Sequence, residues 1–297
     1  MLPGDAVLDP DAVARAGRET VARALAEDLD DAGDVTARAT IPAELSGRAE
    51  LLSRADGVVA GLRLVVEVYA QHDPEVRVEL LVADGDRVTV GDVLATVTGP
   101  LRSILTGERT ALNLVTHLSG VATATRALVD AVEGTGCVVR DTRKTIPGMR
   151  LLQKAAVAAG GGVNHRLGLS DALLVKDNHV AAAGSVTAAV AAALAGAEGR
   201  HVQMEVDSLA ELDEAIAAGA RDVLLDNLDP EATRQAVERC RAWGDERGER
   251  VLLESSGTIR HDTVRAYAEA GIDRVAVGAI THSAPQLDLA LDVALEA

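Results

Sequence analysis

Apolar residues recur with a helical period over residues 10–29, where Val13, Val21, Leu25 and Leu29 share one face, and the turn-rich run 30–36 ends that helix. From 47 to 59 short apolar runs separated by turn residues predict strands, and 62–69 predicts a helix between Gly61 and the Asp73-Pro74 turn. Residues 76–82 alternate as a half-buried strand, and Asp84-Gly85 behind it predicts a hairpin. A helical stretch follows over 106–133, with a break expected near Ser119-Gly120. Within it the pair Glu108-Arg109 precedes an apolar face of Leu112, Val115 and Leu118.

After Gly136 the texture changes. Six β-like runs, at 137–140, 172–175, 202–206, 222–225, 251–253 and 274–277, alternate with helical patterns at 149–158, 185–195, 208–218, 230–242, 261–270 and 286–296. That alternation implies parallel βα units, in a barrel or a doubly wound sheet. The fold class is therefore α/β. An N-terminal α+β, sandwich-like domain is expected over 1–116, then a parallel α/β barrel, complete or incomplete, over 117–297, its last helix free to pack back on the first domain.

Composition narrows the chemistry. Aromatic residues make up 1% of the 297 and Phe is absent, so the core is aliphatic and there are no platforms for stacking nucleic-acid bases. A net charge of -17 excludes a basic face for duplexes or anionic membranes. No apolar run reaches membrane-spanning length and the N-terminus lacks a signal-peptide pattern, so a cytoplasmic protein is expected. Cys137 and Cys240 form no metal-binding pair, and Cys137 reads as a small core residue. The run 84–94 resembles the turn-rich hairpins of lipoyl and biotinyl carrier domains, but a carrier needs a lysine there, and no lysine precedes position 144.

Against this acidic background the cations cluster. Of 29 basic residues only Lys144, Lys154 and Lys176 are lysines, and they share one segment with Arg143, Arg150, His165, Arg166 and His179 and with the loop-forming Gly160-Gly161-Gly162. A compact ammonium kept where arginine is otherwise used, beside that loop, points to an anion site. The strand C-termini read Thr142-Arg143-Lys144, Lys176-Asp177-Asn178-His179, Glu205-Val206-Asp207, Asp226-Asn227, Glu254-Ser255-Ser256-Gly257 and Gly278-Ala279-Ile280-Thr281-His282. In a barrel those ends form one face, where chemistry sits. Ser256-Gly257-Thr258 and Gly278-Ala279 offer backbone N–H groups with little bulk, as phosphate sites require.

These residues resemble the quinolinate phosphoribosyltransferase family of type II phosphoribosyltransferases. The likeness runs from about Gly33 to the C-terminus and is carried by Asp141-Thr142-Arg143-Lys144-Thr145 with Pro147-Gly148, by Gly160-Gly161-Gly162-Val163-Asn164-His165-Arg166, and by Leu174-Val175-Lys176-Asp177-Asn178-His179. The resemblance implies transfer of a phosphoribosyl group from phosphoribosyl pyrophosphate to quinolinate with decarboxylation, with Mg²⁺ and no organic cofactor. It implies a quinolinate pocket of Thr142, Arg143, Lys144, His165, Arg166 and Lys176, with Arg109 supplied by the neighbouring subunit of a dimer or dimer-based oligomer with shared sites. Lys144, Lys176, Glu205 and Asp226 would be catalytic, the two carboxylates also meeting Mg²⁺ directly or through water. Ser256, Gly257, Thr258, Gly278 and Ala279 would take the 5-phosphate.

The chain departs from the family pattern at Thr258, where a second Gly is usual, and at Ala155-Ala156 after Lys154, where Tyr-Ala is frequent. Relatives that take nicotinate, or that accompany molybdenum transport, share these motifs, and a generic phosphate-binding barrel isomerase shares the fold. The full set Arg143, Lys144, Arg166 and Lys176 favours the dicarboxylate.

Overall fold

The computed structural model describes residues 2–294. In chain order the elements are α1 (Pro10–Asp28), α2 (Val35–Thr40), β1 (Ser46–Ser53), β2 (Gly57–Val58), α3 (Leu62–His72), β3 (Arg77–Leu80), β4 (Arg87–Val88), β5 (Val93–Pro100), α4 (Leu101–Ala131), β6 (Val138–Arg140), α5 (Arg150–Ala159) and β7 (Ala172–Val175). Then come α6 (Asp177–Ala183), α7 (Val186–Ala195), β8 (His201–Val206), α8 (Leu209–Ala217), β9 (Asp222–Asp226), α9 (Pro230–Arg247), β10 (Leu252–Ser256), α10 (Val264–Glu269), β11 (Arg274–Ala276), α11 (Ala279–His282) and β12 (Leu289–Ala294). They form two compact units. The described residues of 1–7, 127–144 and 162–279 make one, and those of 8–126, 145–161 and 280–297 make the other.

The second unit is built on a four-stranded antiparallel sheet in the order β12-β1-β5-β3. Strand β1 alternates as its sequence requires: Ala49, Leu51 and Ser53 are buried while Arg48 is exposed and Glu50 and Leu52 lie between. Helix α1 starts where Asp9 accepts a hydrogen bond from the Asp11 N–H and Pro10 fills the first turn, whose N–H is unpaired in any helix.

Three expectations in this unit fail for identifiable reasons. The segment 286–296 is not a helix. Residues Leu289–Ala294 form β12, with Leu291 opposite Leu51 and Leu289 opposite Ser53 on β1. Alternating Leu and Asp meet an unpaired sheet edge there, which outweighs the helix preference of Leu and Ala. Positions 295 and 296 of that expectation lie outside the described residues. Asp84-Gly85 does not close a hairpin, since β3 pairs with β5 and β4 pairs with β2. The Asp84 carboxylate instead accepts from the N–H groups of Gly61 and Leu62, both at 3.0 Å, and so caps α3. Helix α4 also runs unbroken through Ser119-Gly120. Gly120 is there for contact: a Cβ at this position would stand 2.0 Å from the Pro285 carbonyl oxygen.

The other unit holds six parallel strands in the order β6-β11-β10-β9-β8-β7. From β7 to β11 each strand neighbours the next in sequence, and the last, β11, returns to the first, β6. This is barrel order with a seam between β6 and β7, so the barrel is incomplete. At the seam Val163 bridges to β6, its N–H bonding to the Val139 carbonyl at 2.9 Å, and Ala6 bridges to Asn164.

Side chains from alternate strands meet inside. Arg140 of β6 bonds Glu254 of β10 at 2.6 Å, and Gln203 of β8 reaches the same carboxylate at 3.0 Å. Arg274 of β11 pairs with Asp222 of β9, and Asp5 stands 3.4 Å from both arginines. The carbonyls of Pro3 and Gly4 accept from Arg274 and Arg140. All of these side chains are buried, the two arginines at 0–1% exposure, and charges so sealed require full pairing. Burial pushes the Asp222 carboxyl up, but the hydrogen bond from His201, the charges of Arg274 and His201, and Gln203 outweigh it and hold the group below its ordinary value.

Asp222→Asn removes the carboxylate nearest Arg274 and is expected to cost about 3–5 kcal/mol in urea unfolding at neutral pH, the range for breaking a buried ion pair. Because the folded-state value is depressed, the Asp222 contribution is complete above the ordinary carboxylate pKa of about 3.9 and disappears as pH falls through the lower folded value. The native chain should lose stability below about pH 4 more steeply than Asp222→Asn, and equal acid slopes would contradict the assignment.

Candidate active site

At the C-terminal face of the parallel sheet all six strand ends contribute to a cavity of about 370 Å³. Thr142, Arg143 and Lys144 reach it from beyond β6, His165 and Arg166 from the segment at the seam, and Leu174 and Lys176 from β7 and its end. Glu205 arrives on β8, Leu224 and Asp226 on β9, Ser256 on β10 and Ala276 on β11. The anticipated substrate and catalytic residues Thr142, Arg143, Lys144, His165, Arg166, Lys176, Glu205 and Asp226 therefore share one pocket. So does Ser256 of the anticipated phosphate set.

The electrostatics favour an anion. Arg166 is 8% exposed, and burial, followed by the like charge of Arg143, pushes its guanidinium below the ordinary value, with Asp171 opposing. The Nε–H groups of Arg143 and Arg166 are both buried, and among the described residues neither has a hydrogen-bond partner. A buried donor without a partner is costly, and a carboxylate is the group that planar guanidinium donors fit best. Lys176 Nζ pairs with the Glu205 carboxylate, so one cation of the pocket carries its own counter-charge.

A larger hollow of about 620 Å³ lies at the opposite ends of β8, β9 and β10. Its arginines are already neutralised, as Arg200 pairs with Glu198, Arg221 with Glu249 and Arg250 with Asp273. Of the buried Nε–H groups without a hydrogen-bond partner among the described residues, those of Arg140 and Arg274 stand near interior carboxylates, at 3.4 Å from Asp5 and 3.7 Å from Glu254, and those of Arg143 and Arg166 belong to residues that line the C-terminal cavity.

Not every predicted residue comes to the cavity. Arg109 stands on α4 in the other unit, its side chain 67% exposed and 3.9 Å from Glu108. Gly257, Thr258, Gly278 and Ala279 follow the ends of β10 and β11 without lining the pocket. Gly257 has φ +127°, and a Cβ there would meet Asn227 Oδ1 at 2.4 Å, so both backbone and space demand glycine. Of the remaining cations, Lys154 is fully buried on α5, Arg150 bonds Thr145 at 3.1 Å, and His179 Nδ1 accepts from the Lys176 N–H at 2.9 Å. Burial pushes the thiols of Cys137 and Cys240 up to about 12, which suits core residues and not nucleophiles.

Comparison with known proteins then decides the family. Residues 34–119 match the model of the quinolinate phosphoribosyl transferase N-terminal domain, and residues 121–292 match that of the C-terminal domain. The chain belongs to the quinolinate phosphoribosyl transferase family. It is 48% identical over 282 residues to the nicotinate-nucleotide pyrophosphorylase [carboxylating] of Mycobacterium leprae, covering 94% of this chain and 97% of that one. A probable enzyme of the same name from Bacillus subtilis is 38% identical over 264 residues, 89% of each chain. Among solved structures, the nicotinate-nucleotide pyrophosphorylase of Francisella tularensis superposes with a TM-score of 0.89 at 38% identity, covering 99% of this chain and 100% of the other.

The quinolinate phosphoribosyl transferase fold thus carries this pocket on rigid strand ends. Thr258 has no left-handed backbone, so its departure from glycine imposes no strain. What the sequence reading missed is the layer beneath the pocket, above all Gln203, which is 2% exposed and hydrogen-bonded to His165 at 3.1 Å. Its signal was a polar residue inside an apolar strand run, as again at Glu254, with Arg140, Asp222 and Arg274 at the ends of such runs.

If the unpaired guanidinium donors form the anion site, Arg143→Ala and Arg166→Ala should each weaken binding of an aromatic dicarboxylate by about 2 kcal/mol or more, roughly thirtyfold. Titration calorimetry measures this, and unchanged affinity in both variants would place the anion elsewhere.

Proposed function

We propose that this chain transfers the phosphoribosyl group of phosphoribosyl pyrophosphate to quinolinate with loss of CO₂, giving nicotinate mononucleotide and pyrophosphate, a step of NAD biosynthesis. The observation that carries the reading is the pocket of a quinolinate phosphoribosyl transferase family member, in which Arg143 and Arg166, each with a buried Nε–H that has no hydrogen-bond partner among the described residues, line the same cavity as two lysines and two carboxylates.

Quinolinate has two carboxylates, and Arg143 and Arg166 supply two planar donors to receive them. Lys144, exposed at the rim, and Lys176 bring charge for the pyrophosphate. The 5-phosphate falls to Ser256, Gly257, Thr258, Gly278 and Ala279, a reading supported by the glycine-dependent turn at 257 beside Ser256. Held in this way, the pyridine nitrogen attacks the anomeric carbon as the bond to pyrophosphate breaks. Positive charge grows on the ribose ring, and Glu205 and Asp226 are the pocket's carboxylates placed to stabilise it, an interaction stronger in the transition state than in the bound substrate. The alkylated ring is cationic and accepts the electron pair left when the adjacent carboxylate departs as CO₂. The ring carbon then takes up a proton.

Two carboxylates and a pyrophosphate are hard oxygen donors that suit Mg²⁺, which keeps several waters and needs no dedicated cage. Glu205 and Asp226 would hold the ion, which when bound neutralises charge on the leaving pyrophosphate. The proposal includes a homodimer in which Arg109 completes the partner's pocket, supported by its exposure on α4. No single helix among the described residues is long and apolar enough to cross a membrane.

The test is a direct assay with phosphoribosyl pyrophosphate and Mg²⁺, offering quinolinate and nicotinate in parallel at salt from low to molar. Turnover of quinolinate with CO₂ release, and none of nicotinate, is the expected result. Turnover of nicotinate, or of neither at any salt, would overturn the reading.

A further inference from the structure

We propose that Gln203 is a positioning residue that locks His165 as the neutral Nε2–H tautomer, so that His165 aims Arg166 and does not exchange a proton with substrate. The significance for quinolinate binding rests on the function proposed above, whereas the tautomer rests on hydrogen bonding alone.

The assignment follows from donors and acceptors whose roles cannot be reversed. Gln203 Nε2 lies 2.9 Å from Asp222 Oδ1 and 3.0 Å from Glu254 Oε2. Both carboxylates are acceptors, tied respectively to Arg274 and Arg140, so the amide nitrogen must face them and the amide oxygen must face the other way. That oxygen is 3.1 Å from His165 Nε2. An amide oxygen only accepts, so Nε2 carries the hydrogen. On the other side of the ring the Arg166 N–H donates to His165 Nδ1 at 2.7 Å, which requires a bare Nδ1. Two independent contacts thus name the same tautomer, and both ring nitrogens are engaged within the protein.

The consequence lies one residue on. His165 N–H donates to Asp141 Oδ1 at 2.7 Å, Asn164 Nδ2 donates to Asp141 Oδ2 at 2.8 Å, and the ring fixes the Arg166 N–H. With the backbone of 164–166 held in this way, Arg166 sends Nη1 to the Ala172 carbonyl at 2.9 Å and leaves Nε–H for a ligand. Gln203 therefore connects the sealed charges of the barrel interior to the orientation of a guanidinium in the pocket. A ring committed at both nitrogens directs; it does not shuttle protons.

The experiment is a long-range ¹H–¹⁵N correlation spectrum of the full chain, labelled at histidine, at neutral pH, with the His165 signals identified by their absence in His165→Asn. The expected pattern is that of a protonated Nε2 and an unprotonated Nδ1. Gln203→Met, which keeps the volume but no hydrogen bond, should lose that fixed pattern. It should also raise KM for the aromatic dicarboxylate by about tenfold to a hundredfold with a smaller change in kcat, the scale on which misaligned binding groups act. An Nδ1-protonated ring, an imidazolium or averaged tautomers in the native chain would overturn the proposal, whether or not the variant folds. So would a Gln203→Met spectrum identical to the native one. The expected native spectrum in a chain that fails to turn over quinolinate would leave the tautomer standing and count against the function.

Discussion

Two arginines sealed inside a parallel barrel set the terms for the rest of that unit. Arg140 and Arg274 have essentially no exposure, and an uncompensated charge in such a place is prohibitive, so the strands must bring carboxylates to them. Glu254 and Asp222 do so from β10 and β9, Asp5 from the N-terminal segment, and the carbonyls of Pro3 and Gly4 complete the arrangement. The polar layer ties four strands and the N-terminal segment to one another, and through Gln203 it extends to the floor of the pocket. Directionality comes with it, because ion pairs and hydrogen bonds specify geometry in a way that aliphatic contacts do not. In a chain without Phe, this charge layer supplies specificity to a core otherwise filled with Val, Leu, Ile and Ala.

The pocket above depends on the opposite condition. Arg143 and Arg166 sit close enough to raise each other's cost, and their Nε–H groups have no partner within the described protein. The interior arginines have carboxylates against them, whereas among the described residues no ion pair to a carboxylate holds Arg143 or Arg166. The first arrangement ties the barrel strands together, and in the proposed reading the second is met by a bound anion.

Much of this was legible in the sequence, for reasons that particular residues show. The alternation of β-like and helical runs after Gly136 marked all six parallel strands, helped by side-chain caps that start three of the helices, at Ser185, Ser208 and Asp229. The cation cluster was visible because lysine is so rare, and Arg143, Lys144, Arg166 and Lys176 do meet. What was hidden depends on tertiary context. Strand β12 exists because β1 offers an edge, Gly120 is small because Pro285 lies against it, and Asp84 caps a helix 22 residues earlier. The interior layer escaped notice because a polar residue within a strand announces burial only once its partners on other strands are known. Lys154, Arg150 and His179 show the converse, as each lies in the right segment and serves the fold elsewhere.

The central claim is that the unpaired guanidinium donors at the strand ends receive the two carboxylates of the acceptor. A crystal structure of the chain with quinolinate bound tests it most directly. The account predicts the dicarboxylate in the cavity of β6 to β11, with its carboxylate oxygens on the Nε–H groups of Arg143 and Arg166 and His165 bonded to Gln203 as before. Quinolinate bound away from these arginines, or bound with both Nε–H groups still unpartnered, would contradict it.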